Sequence, residues 1–112
     1  MIRLFVYGTL KIGFHNAYYL EVARFLGEFV TEPVYSMYDF GRYPAVSEYG
    51  NTVIAGEVYD INEKLLASID LLEGCPDFYQ RVMIETSFGG AWIYVLSEPL
   101  CADKRKISGS WL

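Results

Sequence analysis

Residues 62–74 read Asn-Glu-Lys-Leu-Leu-Ala-Ser-Ile-Asp-Leu-Leu-Glu-Gly and carry the clearest helical pattern in the chain. An amide or acidic residue opens the segment, and Asp60 and Glu63 have the three-residue spacing of a capping box. Gly74, with Pro76 behind it, is a typical helix stop. Apolar side chains recur at the spacing that forms one stripe along a helix; they are Leu65, Leu66, Ile69 and Leu72. We therefore predict a main helix from Asn62 to Leu72.

Strand-like segments precede this helix. Apart from Arg3, residues 2–7 are a run of apolar and β-branched residues that stops at Gly8, which is typical of a buried strand that ends in a turn. Residues 15–20 predict a short helix that Asn16 could cap. Residues 23–38 are again strand-like, with a bulge or bend expected at Gly27 and Pro33.

Two hairpins are predicted, one on each side of the helix. After a turn at 41–44, strands at 45–48 and 52–59 are joined through Tyr49-Gly50-Asn51. After the helix, strands at 79–86 and 91–96 flank a turn at 87–90. Strands before and after one helix predict an α+β fold, and so many short strands favour a small, closed or nearly closed mixed β-barrel.

Composition limits the possible classes of protein. The 112 residues are 53% hydrophobic and 17% aromatic, enough for one packed core, so we expect a single domain over residues 1–112. The net charge is −5 and the densest basic cluster is only residues 104–106, so nucleic acid is not an expected partner. No apolar run approaches the roughly 20 residues that span a bilayer, and the N-terminal sequence is unlike a signal peptide. We expect a cytoplasmic protein that does not bind membranes.

Cysteine and histidine are scarce. Cys75 and Cys101 have no CxxC spacing, and the chain has one histidine. A disulfide framework and a zinc site therefore have little support from the sequence. We expect reduced, structural cysteines and no metal.

Glu73 is the first candidate for chemistry. It follows Ile69 by four residues and Leu66 by seven, so it continues the apolar stripe of the predicted helix. Burial and the negative end of the helix dipole would both raise the pKa of such a carboxyl group. That would suit a general acid/base near neutral pH. The alternative is a frayed helix end whose carboxylate faces water.

The turn Tyr7-Gly8-Thr9-Leu10 is the second candidate. A strand that ends in a glycine turn leaves free backbone N–H groups, which can hold a carboxylate or a developing oxyanion. The Gly-Lys-Ser/Thr ending of a phosphate-binding P-loop is absent. An ordinary strand-to-helix turn would have the same sequence.

Taken together, these segments resemble the gamma-glutamylcyclotransferase-like (AIG2-like) family. The order and separation of the motifs match, and the resemblance covers essentially the whole chain. The residues that carry it are Phe5-Val6-Tyr7-Gly8-Thr9-Leu10, Gly41-Arg42-Tyr43-Pro44-Ala45, Ile69-Asp70-Leu71-Leu72-Glu73-Gly74, Phe78-Tyr79-Gln80-Arg81 and Ala91-Trp92-Ile93-Tyr94.

The resemblance implies a small mixed β-barrel flanked by helices and an enzyme that needs no cofactor. The α-amine of a gamma-glutamyl amide would attack its own side-chain carbonyl, which would release 5-oxoproline and a free amine. Glu73 would transfer protons, and the turn made by Tyr7, Gly8, Thr9 and Leu10 would bind the glutamyl part. Tyr79 could donate a hydrogen bond to the substrate or belong to the core. Arg81 is expected to support the barrel or to pair with an acid such as Asp70 rather than to contact the substrate.

The resemblance leaves the leaving amine and the activity open. Tyr7 to Lys11 is similar to the gamma-glutamylamine cyclotransferase branch, whereas Ile12, Phe14 and His15 depart from the more polar continuation expected there. A non-catalytic binding domain of the same fold is the main alternative. A structural partner protein is another, and it would expose its aromatic residues as one patch.

Overall fold

The computed structural model describes residues 2–14, 16–97 and 105–111. Mostly strands and one α-helix make up these residues, so the predicted α+β class is confirmed. The helix is α1 (Glu63–Glu73), and a short 3₁₀ helix spans Ala17–Leu20. The strands are β1 (Ile2–Val6), β2 (Arg24–Val30), β3 (Tyr35–Asp39), β4 (Pro44–Thr52), β5 (Ala55–Ile61), β6 (Tyr79–Thr86), β7 (Gly89–Leu96) and β8 (Arg105–Ile107).

The strands form two sheets. The first has the order β2-β5-β1-β7-β6, and the second has the order β4-β3-β8. β1 lies in the middle of the first sheet, antiparallel to β5 and parallel to β7, so that sheet is mixed. Over the described ranges, β2 and β6 are edge strands that do not pair with each other. Among the residues that the structure describes, the sheets are therefore not closed into the barrel that we predicted.

The predicted hairpin between 45–48 and 52–59 is wrong. β4 continues through the Tyr49-Gly50-Asn51 segment and pairs with β3, whereas β5 pairs with β1 and β2. The extra residues are absorbed by a shift of register between Tyr35 and Ser36, where the Ser36 hydroxyl donates to the Tyr49 carbonyl oxygen at 2.8 Å. A glycine that we took for a turn thus lies within an irregular strand.

The other strand predictions agree more closely with the structure. β6 and β7 form the predicted second hairpin, from Tyr79 opposite Leu96 to Thr86 opposite Gly89. The expected bulge near Gly27 is confirmed as a register shift in β2. The short helix predicted for 15–20 is a 3₁₀ helix that begins at Ala17, and His15 lies outside the described residues.

Local capping sets the two ends of α1. The Asn62 side chain accepts a hydrogen bond from the Leu65 N–H at 2.8 Å, so Asn62 is the N-cap. Asp60 belongs to β5, and the capping box expected from it does not form. Gly74 adopts the left-handed conformation, with φ of 68°, and ends the helix. Glu73 is consequently the last helical residue.

β1 is covered on both faces at Leu4, Phe5 and Val6, which explains why these three residues, after Arg3, are all apolar. Leu4 and Val6 pack in one cluster with Leu66 and Ile69 of α1. Phe5, which points to the opposite face, packs in a second cluster with residues of the three-stranded sheet. Across the described ranges, no helix has both the length and the apolar character needed to cross a membrane.

Candidate active site

A cavity of about 290 Å³ lies where the end of β1 approaches the end of α1. All six residues singled out from the sequence line it: Tyr7, Gly8, Thr9, Leu10, Glu73 and Tyr79. The remaining lining residues are Phe5, Val6, Asn16, Tyr43, Pro44, Leu72, Phe78 and Tyr94. The fold thus brings together two segments that are more than sixty residues apart in the sequence.

Glu73 is a half-buried acid in the wall of this cavity. Within the described part of the chain, its carboxylate has no hydrogen-bond or ion-pair partner. Burial raises the pKa of Glu73 from 4.5 to about 7, because the ionised form loses contact with water. Its side chain is therefore not the water-facing helix end that we considered, and it can exist in either protonation state near neutral pH.

Polar contacts of Asp70 hold the end of α1 in place. Arg81 Nε lies 2.8 Å from Asp70 Oδ1, which confirms the pairing expected from the sequence. The Tyr94 hydroxyl donates to the same oxygen at 2.5 Å. The Arg81 guanidinium also lies over the Trp92 ring, 4.7 Å from its centroid. Asp70 is one helical turn before Glu73, so these contacts fix the segment that carries the cavity acid.

Tyr7 and Tyr79 place two buried hydroxyl groups beside Glu73. The Tyr7 hydroxyl donates to the Tyr94 carbonyl oxygen at 2.7 Å, and the Tyr79 hydroxyl donates to the Pro44 carbonyl oxygen at 3.0 Å. Burial, followed by the nearby Tyr79 and Glu73, raises the pKa of Tyr7 well above 10.0. Burial and Glu73 also raise the pKa of Tyr79. Both phenols therefore stay protonated, with their protons directed at backbone oxygens.

The turn after β1 is tightly packed at Gly8. A Cβ atom at this position would lie 2.9 Å from Pro44 Cγ and 3.0 Å from Pro44 Cδ, closer than carbon atoms can approach without displacement. Glycine lets the turn lie directly against Pro44, which also lines the cavity. Any side chain at position 8 would therefore collide with Pro44, so the packing of this turn requires glycine.

Thr9 and Asn16 close the loop that follows. The Asn16 N–H donates to the Thr9 carbonyl oxygen and the Asn16 Nδ2 donates to Thr9 Oγ1, each at 2.9 Å. Over the described ranges, the N–H groups of Gly8, Thr9 and Leu10 have no backbone acceptor. The loop is thus held by its carbonyl oxygens and side chains, whereas the N–H groups of these three lining residues have no backbone partner in the described ranges.

Sequence reasoning missed several residues that line the cavity. We interpreted Asn16 only as a possible helix cap, but its side chain bonds to Thr9 instead of the 3₁₀ helix. Tyr43, Pro44, Phe78 and Tyr94 lie in segments that carried the family resemblance, although no role was assigned to them. That resemblance was the one available signal for them, because only the tertiary fold brings these segments to the cavity.

Side chains that commonly bind metal ions do not cluster among the described residues. In the part of the chain that the structure describes, no group of three or more His, Cys, Asp or Glu side chains could hold a metal ion. Cys75 is a half-buried free thiol. Cys101 lies outside the described residues, so the state of the cysteines remains a prediction.

Comparison with known proteins identifies relatives of nearly full length. Residues 4–112 match the family described as gamma-glutamyl cyclotransferase, AIG2-like. A Vibrio cholerae relative named after this family is 45% identical over 108 residues, which cover 96% of this chain and 93% of the relative. The Escherichia coli gamma-glutamylcyclotransferase family protein YtfP is 38% identical over 111 residues, covering 99% of this chain and 96% of YtfP.

Solved structures agree with these sequence matches. An uncharacterised protein from Pyrococcus horikoshii aligns with a TM-score of 0.82 at 31% identity, covering 98% of this chain and 89% of that protein. The solution structure of E. coli YtfP aligns with a TM-score of 0.78, covering 99% of this chain and 96% of YtfP. Both sequence and fold thus lead to the same group of proteins.

Proposed function

Because this chain belongs to the gamma-glutamyl cyclotransferase, AIG2-like family, we propose that it converts a gamma-glutamyl amide into 5-oxoproline and a free amine. The observation that carries this proposal is Glu73, a half-buried acid without a hydrogen-bond partner in the described residues, in the wall of a cavity. Its pKa of about 7 suits a group that must both accept and return a proton at neutral pH.

The turn after β1 would bind the glutamyl part of the substrate. The N–H groups of Gly8, Thr9 and Leu10, which have no backbone acceptor among the described residues, would hold the α-carboxylate or the oxyanion that forms at the attacked carbonyl. Gly8 packs against Pro44, and Thr9 accepts a hydrogen bond from the Asn16 side chain, so the turn is held in place. This supports the assignment, because N–H donors that are already fixed need not reorganise during the reaction.

Tyr79 would help to bind the α-ammonium group. Its hydroxyl proton is directed at the Pro44 carbonyl oxygen, so the hydroxyl oxygen can accept a hydrogen bond from an ammonium N–H. This differs from the donor role predicted from the sequence. The buried ring of Tyr7 forms a further part of the cavity wall.

In the proposed reaction, ionised Glu73 removes one proton from the α-ammonium group. The resulting amine attacks the side-chain carbonyl carbon and forms the bond that closes the five-membered ring. The original amide C–N bond then breaks, and its electron pair stays on the departing nitrogen. Two protons leave the α-nitrogen in total, and both end on the departing amine, which is an ammonium ion at neutral pH. Holding the substrate folded would supply much of the rate.

A substrate screen tests this function. Purified protein is incubated with gamma-glutamyl amides, gamma-glutamyl dipeptides and glutathione, and released 5-oxoproline is measured. We expect release with wild type on at least one compound and a loss of about 10²- to 10⁴-fold in Glu73→Gln. Binding of these compounds without release of 5-oxoproline would instead indicate a non-catalytic binding domain.

A further inference from the structure

Three partly exposed apolar side chains surround the mouth of the cavity. Leu72, Tyr43 and Phe78 all line it, yet 37%, 38% and 38% of their respective surfaces remain accessible to solvent. We call these three residues the apolar rim. Exposed apolar surface that continues into a cavity is typical of a site that binds part of a ligand.

Ring packing holds the rim in one arrangement. The Tyr43 and Phe78 rings lie 6.2 Å apart in an edge-to-face geometry, and Phe78 packs edge-to-face on Tyr79 at 4.7 Å. The Phe40 ring packs against both rim aromatics, with its centroid 5.6 Å from that of Tyr43 and 6.0 Å from that of Phe78. A wall of interlocked rings loses little freedom when a ligand binds, so it can contribute directly to affinity.

The charge of the cavity excludes some substituents. Glu73 is the one charged side chain among the described residues that line it. A carboxylate on the leaving amine would have no cation to pair with and would be repelled by ionised Glu73. A second ammonium group would compete with the substrate α-ammonium for the same acid. An uncharged substituent avoids both costs.

On the basis of the proposed function, we propose that the preferred leaving amine carries an uncharged apolar substituent of about the size of a phenyl ring, and that this substituent binds on the apolar rim. The glutamyl part occupies the turn after β1, and Glu73 lies between the two subsites. The rim thus determines which gamma-glutamyl amides are used.

Three gamma-glutamyl compounds with different leaving groups test this inference. They are the benzylamide, which is apolar, the 4-aminobutylamide, which is cationic, and gamma-glutamylglycine, which is anionic. We expect kcat/KM for the benzylamide to exceed that for the other two by about tenfold or more, as differences in apolar contact produce in other enzymes. Equal or faster turnover of either charged compound would overturn the inference but not the proposed function.

The binding affinities of the three compounds test the inference even if the protein does not convert any of them. If wild type releases no 5-oxoproline, dissociation constants of the same compounds are measured by calorimetry with wild type, which keeps the Glu73 charge on which the discrimination depends. The benzylamide should again bind about tenfold more tightly than its charged analogues. Absence of 5-oxoproline with wild type would then reject the proposed function alone, whereas loss of this affinity order would reject the rim.

A matched pair of leucine variants locates the subsite. Leu72→Ser should lower the ratio of the benzylamide rate to the methylamide rate about tenfold. Leu71→Ser is the control, because Leu71 is the preceding helical residue, is 84% exposed and does not line the cavity. That control should keep the wild-type ratio. An equal change in both variants would place the substituent away from the rim.

Discussion

The Tyr94 hydroxyl donates a hydrogen bond to the Asp70 carboxylate at 2.5 Å, one helical turn before Glu73. The main chain of the same tyrosine accepts a bond from the Tyr7 hydroxyl. A single residue of β7 therefore contacts both halves of the candidate site, the helix end through its side chain and the strand end through its backbone. This arrangement leads to a prediction that separates the two contacts.

Tyr94→Phe should remove the contact with Asp70 and keep the contact with Tyr7, because the Tyr94 carbonyl oxygen is unchanged. Hydrogen bonds to charged groups contribute about 1.5–3 kcal/mol, so we expect the free energy of unfolding to fall by about that amount. Urea denaturation measures it. Tyr49→Phe, at an exposed position, is the control and should be neutral. Equal stability of Tyr94→Phe and wild type would contradict the role of the bond.

Glu73→Gln should lower 5-oxoproline release by about 10²- to 10⁴-fold without loss of stability. The amide keeps the size of the side chain but cannot accept the proton of the substrate. Thermal unfolding and product release are measured on the same preparations. Glu63→Gln, at the exposed start of the same helix, should keep the wild-type rate. An active Glu73→Gln enzyme would remove the acid/base role.

The stability difference between wild type and Glu73→Gln should depend on pH. Burial raises the pKa of Glu73 from 4.5 to about 7, so between these values the folded protein binds a proton that the unfolded chain has released. Folding then becomes less favourable as pH rises. The variant should match wild type below about pH 4.5, gain on it up to about pH 7 and keep a constant advantage above that. Urea denaturation across this range measures the difference, and a difference independent of pH would contradict the raised pKa.

Gly8→Ala should impair substrate binding because the new methyl group must displace the Pro44 ring. Overpacking of this kind costs about 1–3 kcal/mol of stability. Because Pro44 lines the cavity beside this turn, we also expect kcat/KM to fall about tenfold or more. Gly90→Ala is the control, since its methyl group would meet the flexible Met83 side chain at 3.1 Å, outside the cavity. Wild-type kinetics in Gly8→Ala would show that the turn tolerates a side chain.

The sequence predicted correctly those helices and strands that depend on contacts between residues close together in the chain. The stripe of α1 and the glycine stop after Glu73 follow from contacts within one helix, and the β6–β7 hairpin follows from a short turn. The helix boundaries were accordingly correct to within one residue. Continuation of the stripe to Glu73 also indicated that this acid faces the interior, where it lines the cavity.

The sequence pattern could not predict which strands and side chains pair when they lie far apart in the chain. Whether Gly50 makes a turn or a bulge depends on Ser36 across the sheet, and nothing near Gly50 records that partner. In the same way, the choice of Asn16 between the 3₁₀ helix and Thr9 depends on loop closure. Closure of a barrel depends on whether the edge strands meet, which strand count alone does not determine.

The central position of β1 has a consequence for the order in which the molecule is made on the ribosome. The Tyr7 hydroxyl bonds to a carbonyl oxygen 87 residues later, and β1 pairs with a strand that extends to Leu96. At roughly 5–20 residues per second, translation reaches that partner only after a delay on the order of ten seconds. Until then the apolar Leu4-Phe5-Val6 segment of the nascent chain lacks one of its two neighbours. The cavity wall therefore assembles only after β7 has been made, and chaperones that bind extended apolar segments can reach β1 before that happens.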